Sequence, residues 1–267
     1  MPRIADIIAA IEEEAPLSIQ ESWDNSGLQI GRADTECTGV MLALDPTEKV
    51  VEEAIGHGCN LIVSHHPLIF HAPKQIIGAT AQQRAIERAL RGGVAIYSAH
   101  TSLDNAPNGL NRHVASRLGL TEIEPLVPLS MPGAGSGAVG NLPHPISGPE
   151  FVDRVKATFG SPVVRCSSAI DRYSNGSLIH RVALCTGSGS SMIDDAEASG
   201  AQVFLTADTR YHDFLDRGSE NLMIADIGHH ESELAARDIF YRLISGKFSN
   251  FAPRFSISDM SNPIVYA

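Results

Sequence analysis

The sequence predicts an α/β fold made of two interlinked lobes with mostly parallel sheets, and three observations carry that prediction. First, Val40-Met41-Leu42-Ala43-Leu44, Leu61-Ile62-Val63 and Val94-Ala95-Ile96 are continuous apolar runs. Strands covered on both faces read this way, whereas half-exposed strands alternate. Second, amphipathic stretches lie between these runs and stop at glycine. Third, the stretch Pro125 to Pro149 is rich in proline and glycine, and the strand and helix alternation resumes after it.

In chain order, Ile4, Ile7, Ile8 and Ile11 set a helix over Ile4 to Glu14, with Asp6 and the glutamates on its polar face. Val40 to Leu44 is a strand, Lys49 to His57 a helix ended by Gly58, and Leu61 to Val63 the next strand. Thr80 to Arg91 is a helix with Ile86 and Leu90 inward, stopped by Gly92-Gly93. Val94 to Ser98 is a strand and Asn111 to Leu118 a helix stopped by Gly119. A short strand is expected around Ala138-Val139-Gly140 inside the proline-rich stretch. Beyond it come a helix over Glu150 to Phe159 and strands at Val163-Val164 and Arg181 to Cys185. A helix over Ile193 to Ser199 leads to strands at Val203 to Leu205 and Leu222 to Ala225, then a final helix over Ser232 to Leu243. The expected domains are an N-terminal lobe over 1–124, completed by 220–267, and a second lobe over 125–219.

Composition bounds the function. The 267 residues are 43% hydrophobic and 19% charged, as in folded domains rather than disordered chains. A net charge of -11 disfavours nucleic acid, which needs clustered Lys and Arg, but not a small anionic ligand held through a metal. Cys37, Cys59, Cys166 and Cys185 form no CxxC pair, so they read as free thiols rather than a zinc knuckle. With no signal peptide and no apolar run of about 18 residues, the expected location is the cytoplasm, without membrane contact.

The chemistry gathers where strands end. His65-His66 follow Leu61 to Ser64, His100 closes Val94 to Ala99, and His229-His230 follow Leu222 to Asp226. Ligands collect at the carboxyl ends of strands in such sheets, which points to one metal site at those ends, between the lobes. Neighbouring side chains diverge in extended chain, so His65 and His66 suit two ions better than one unless the chain turns. Asp104, in a loop four residues after His100, could bridge two cations. His229 and Glu233 share a face of a starting helix, although capping there is an equally simple reading. Three nitrogens and two carboxylates, from His65, His66, Asp104, His229 and Glu233, suit zinc, iron, manganese or nickel and not calcium. Gly187-Ser188-Gly189-Ser190-Ser191 lacks the third glycine of a dinucleotide motif, since Met192 follows, so serine capping of a helix is expected and no organic cofactor. His212 reads as a surface or structural histidine.

Trp23-Asp24-Asn25-Ser26-Gly27-Leu28, Ser64-His65-His66-Pro67-Leu68-Ile69-Phe70, Tyr97 to Asp104 and Gly228-His229-His230-Glu231-Ser232-Glu233, in that order, resemble the Nif-three-like family. Its members are often labelled GTP cyclohydrolase I type 2 homologues. The resemblance covers nearly the whole chain. It implies a dinuclear metal centre in a two-lobed subunit and a ring-shaped homohexamer. Its ligands fall on His65, His66, Asp104, His229 and Glu233, with His100 close to the site. Ala207 and Ser190 stand where relatives often carry glycine, and the middle segment is too short for the domain some relatives insert there.

Two functions follow. One is a metal-dependent hydrolase acting on a nucleotide or related small molecule through two divalent ions. The other is a non-enzymatic protein for metal binding, metal delivery or scaffolding.

Overall fold

The computed structural model describes residues 1–217, 221–249, 253–256, 258 and 262–265. Contacts divide the chain into two units, Met1–Leu103 with Ala236–Val265 and Asp104–Ala235. These limits differ from those read from the sequence. Helix Leu110–Arg117 and strands Thr121–Glu124 and Met223–Asp226 all lie in the second unit. The reason is pairing: Thr121–Glu124 lies antiparallel to Ala138–Ile146, beyond the proline-rich stretch. That stretch carries pairing of its own, Val127–Pro128 with Gly135–Ser136. The expected border at 219/220 lies outside the described residues.

The first unit is built on a five-stranded sheet. Its order is Gly27–Ile30, Ala95–Ser98, Leu61–Ser64, Val40–Ala43 and Arg254–Phe255. Gly27–Ile30 runs antiparallel to its neighbour and the other pairs are parallel. The three central strands are buried along their whole length, as continuous apolar runs require. Helix Glu48–Gly56 starts at Thr47, whose side chain accepts from Val50 N, and helix Ala81–Gly92 starts at Thr80, which accepts from Gln83 N. Val50, Val51, Ala54, Ile86 and Ala89 from these helices pack on Ile62 and Ile96 of the sheet.

Leu90 departs from the expectation: it is 58% exposed, while Ala85, Ile86 and Ala89 are buried. The buried face of this helix is Gln83, Ala85, Ile86 and Ala89, and helix Glu48–Gly56 comes close to its end. A Cβ at Gly92 would lie 2.5 Å from Ile55 Cδ1. Leu90 falls beyond that buried face.

The second unit has a six-stranded sheet, Thr121–Glu124, Ala138–Ile146, Ile179–Ser188, Val203–Ala207, Met223–Asp226 and Arg165–Cys166. Only its centre is parallel, from Ile179–Ser188 through Met223–Asp226. Both flanks are antiparallel. The strand expected at Val163-Val164 is found at Arg165–Cys166, and the single final helix is two, His229–Glu233 and Ala236–Lys247. Val139, Ala183, Phe204 and Ile224 of the sheet form a core with Ile193 and Ala196. All four cysteines are free, Cys37 and Cys59 buried and the others half-buried. Among the described residues, no helix is long and apolar enough to cross a membrane.

Candidate metal site

In the first unit, register decides what meets. Ala43 is level with Ser64, and Ser64 with Ser98. Asp45, His65, His66 and His100 therefore leave from adjacent strand ends. The divergence expected of His65 and His66 is not found, because extended chain ends at Ser64 and both residues lie in a bend. Two serines fix that bend: Ser64 Oγ and Ser98 Oγ donate to the His66 carbonyl at 2.8 and 3.1 Å. The His65 and His66 rings lie 5.1 Å apart, and each lies within 5.5 Å of His100. A ligand nitrogen from each of the three lies within 4.8 Å of the others.

Hydrogen bonds orient these rings. His65, wholly buried, has Nδ1 3.0 Å from the Ala99 carbonyl. His66 Nδ1 is 2.8 Å from Asp45 Oδ1, and His100 Nδ1 is 2.7 Å from Asp24 Oδ1. A carbonyl or carboxylate only accepts, so each Nδ1 donates and Nε2 is the nitrogen left to face a ligand. Asp24 is itself held: its Oδ2 accepts from Thr101 N at 3.0 Å, Thr101 Oγ1 at 2.6 Å and Ser26 Oγ at 2.9 Å. Burial works to raise the Asp24 pKa, but hydrogen bonds from His100 and Thr101 and the charge of His100 outweigh it. Its carboxyl sits well below the usual range.

In the second unit the same device recurs. Strand Val203–Ala207 is followed by Asp208, and the next parallel strand, Met223–Asp226, leads through Gly228 into helix His229–Glu233. His229 Nδ1 is 2.7 Å from Asp208 Oδ2, and its Nε2 is 2.9 Å from Glu233 Oε2. Asp208 takes a left-handed φ of 55°, rare for a residue other than glycine and common where geometry serves a site. Burial disfavours a charged His229, but the hydrogen bonds and charges of Asp208 and Glu233 prevail and raise its pKa to about 11. Asp208 is lowered in turn, chiefly by its bond from His229.

The Gly187 loop has a structural task here. A Cβ at Gly187, where φ is +64°, would stand 2.2 Å from Glu233 Oε1. Gly187 N donates to Ser232 Oγ at 2.9 Å, and Ser232 Oγ donates to the His229 carbonyl at 2.7 Å. The loop therefore seats the helix that carries His229 and Glu233, and only glycine fits. Serine capping is not what this loop does: Ser190 Oγ donates to Asp213 Oδ2 at 3.0 Å, and neither following helix has a side-chain cap.

These donor sets fit a divalent metal. Metal–nitrogen and metal–oxygen bonds of roughly 2.0–2.2 Å place adjacent ligand atoms about 3.0–3.4 Å apart. His229 Nε2 and Glu233 Oε2 are near that spacing already. A carboxylate or carbonyl behind each imidazole is the usual support of a ligating histidine. Of the residues read from sequence, the structure brings His65 and His66 together in the first unit and His229 and Glu233 in the second. Asp104 ends the short helix Thr101–Asp104, where a loop was expected, and its Oδ1 is buried. His212 is exposed and pairs with Asp216. Sequence reasoning missed Asp24, Asp45 and Asp208. Two of them follow strands as the histidines do, a signal that was there to find.

Comparisons with known proteins agree with this architecture. A family model described as Duf34/NIF3 (NGG1p interacting factor 3) matches residues 2–263. A Clostridium acetobutylicum protein named GTP cyclohydrolase 1 type 2 homolog is 32% identical over 91% of this chain and 90% of its own length. A Nostoc protein of the same name is 36% identical over 88% and 89%. The crystal structure of a Staphylococcus aureus hypothetical protein superposes with a TM-score of 0.88 at 27% identity, covering 99% of both chains. A Bacillus cereus protein related to NIF3 shares the fold, with a TM-score of 0.88 at 23% identity over 100% of this chain and 99% of its own. The strand-end histidines and their carboxylates are thus features of a chain that belongs to the Duf34/NIF3 family.

Proposed function

We propose that the protein is a dinuclear metal-dependent hydrolase acting on a nucleotide or related small molecule. His65, His66, Asp104, His229 and Glu233 would be its ligands, with His100 a further nitrogen donor. One observation carries the reading: four histidines each have Nδ1 engaged by a carboxylate or backbone carbonyl, which leaves Nε2 for a metal, at His229 by displacing a proton. A pair of divalent ions supplies Lewis acidity and acidified water, the chemistry of hydrolysis. The chain's part is to hold the nitrogens in one tautomer and fix the rings. Asp24, Asp45 and Asp208 keep the imidazoles basic and oriented, and Gly187 and Ser232 seat Glu233. The relatives' printed name motivates GTP as the first substrate to try. The reading also carries self-association into a hexamer, which light scattering checks against a subunit mass of 28.5 kDa.

The test is elemental analysis of protein purified without chelators, beside turnover of GTP and a phosphoester panel. Roughly two ions per subunit, with turnover lost in His66→Ala, is the expected result. Metal without turnover on any substrate would leave a metal-binding or delivery protein. Absence of metal would end both readings.

A further inference from the structure

His100 belongs to two clusters of rings. One is the histidine triangle. The other joins it to Trp23, at 6.2 Å, and Phe70, at 6.1 Å, and these two lie 6.0 Å from each other. All three pairs are edge-on, with interplanar angles of 64–83°. Trp23 is 59% exposed and Phe70 is 41% exposed. A folded chain gains by burying such rings, so two large ones left open side by side beside a polar cluster call for an occupant.

The rings are not on loose chain. Asn25 Nδ2 donates to the Ile69 carbonyl at 2.5 Å, and Ile69 N donates to Gln29 Oε1 at 2.8 Å, tying the Trp23 segment to the Phe70 loop. Gln82 Nε2 donates to the Leu68 carbonyl at 2.8 Å. Glu21 N donates to Thr101 Oγ1 at 2.9 Å, and Asp24, next to Trp23, holds His100. The exposed rings therefore stand preorganised against the histidines, which favours a small rigid ligand. Asn25 and His71 beside them are exposed and polar, which breaks up an apolar face of the size a protein partner needs.

We infer that Trp23 and Phe70 form the subsite for a planar aromatic ring, on a ligand whose other end is an anion directed toward the histidine cluster. The ring is held by stacking and the anion by metal charge, so this deepens the metal reading and rests on it only for the anionic end. The chain's net charge of -11 offers an anion no overall attraction.

Trp23 is the sole tryptophan, so tryptophan-selective emission reports this place alone. The experiment titrates GMP, which joins a planar ring to an anion, and ribose 5-phosphate, the same anion without the ring. Both go into metal-loaded and metal-stripped protein, with metal content measured on each sample. GMP is expected to quench Trp23 in both samples, more weakly without metal, and ribose 5-phosphate in neither. By calorimetry, Trp23→Ala should weaken GMP binding roughly 5- to 150-fold, the range for one lost stacked ring, with metal content unchanged, and Trp23→Phe should recover part of it. Unchanged GMP affinity in Trp23→Ala overturns the subsite, as does Trp23 emission indifferent to GMP. Emission that changes with protein concentration and not with GMP also overturns it, and assigns the rings to contact between copies. A chain that takes up no metal, yet quenches with GMP, sinks the metal reading and keeps this one.

Discussion

The two units solve one problem with the same part and different surroundings. In each, an aspartate just past one parallel strand holds Nδ1 of a histidine that follows the next: Asp45 with His66, and Asp208 with His229. The first unit then adds two more imidazoles, one of them buried and bonded to a neutral carbonyl. The second adds a buried glutamate on the same helical face. The first half is thus a cluster of three imidazoles and the second a histidine–glutamate pair. The contrast teaches that the aspartate–histidine pair is the common framework, and that the added donors distinguish the halves. The hydrogen bonds and charges of Asp208 and Glu233 outweigh burial and make His229 resist deprotonation.

The comparison can be broken most forcefully at the ligands. His66→Ala and His229→Ala are each expected to abolish full metal loading. If the halves serve separate ions, each variant retains metal near one ion per subunit, and elemental analysis separates that from complete loss. Asp45→Asn and Asp208→Asn come next, with metal affinity about 10- to 100-fold weaker, the usual cost of losing a supporting carboxylate. A competition titration showing no change in either would mean the shared device is ornamental. Gly187→Ala tests the second half alone. Its left-handed φ costs about 1–2 kcal/mol for any other residue, before the contact with Glu233. Thermal melts should show that loss with weakened metal binding, and with the first half intact.

The smallest effect lies in pH. In metal-free protein His229 titrates at about 11 rather than 6.5. Its folded pKa is raised, so the stability it contributes is complete below pH 6.5 and is lost as pH climbs through 11. Histidine resonances in an NMR titration follow this directly, and Asp208→Asn should narrow the window. Titration of His229 near 6.5 would mean that Asp208 and Glu233 do not hold its proton.

Much of this was legible in the residues. Continuous apolar runs identified the central strands because those strands are buried on both faces, and the histidines stood out because imidazole is unusual at their ends. The aspartates were passed over because their partners come from other strands, and strand order is a tertiary fact. Asp24 meets His100 across 76 residues of chain. The His65–His66 bend was missed because it depends on Ser64 and Ser98 side by side, again a matter of register. Leu90 was placed inward because helical periodicity carries no measure of where the buried face ends.

The order of the chain bears on how the protein is made. Asp104–Ala235 is one uninterrupted segment, whereas the first unit takes its helix Ala236–Lys247 and the edge strand Arg254–Phe255 from the far end. A ribosome delivers the middle unit complete while the first still lacks that helix and strand. Until they arrive, the Val40–Ala43 edge that Arg254–Phe255 will cover is an open template on the nascent chain.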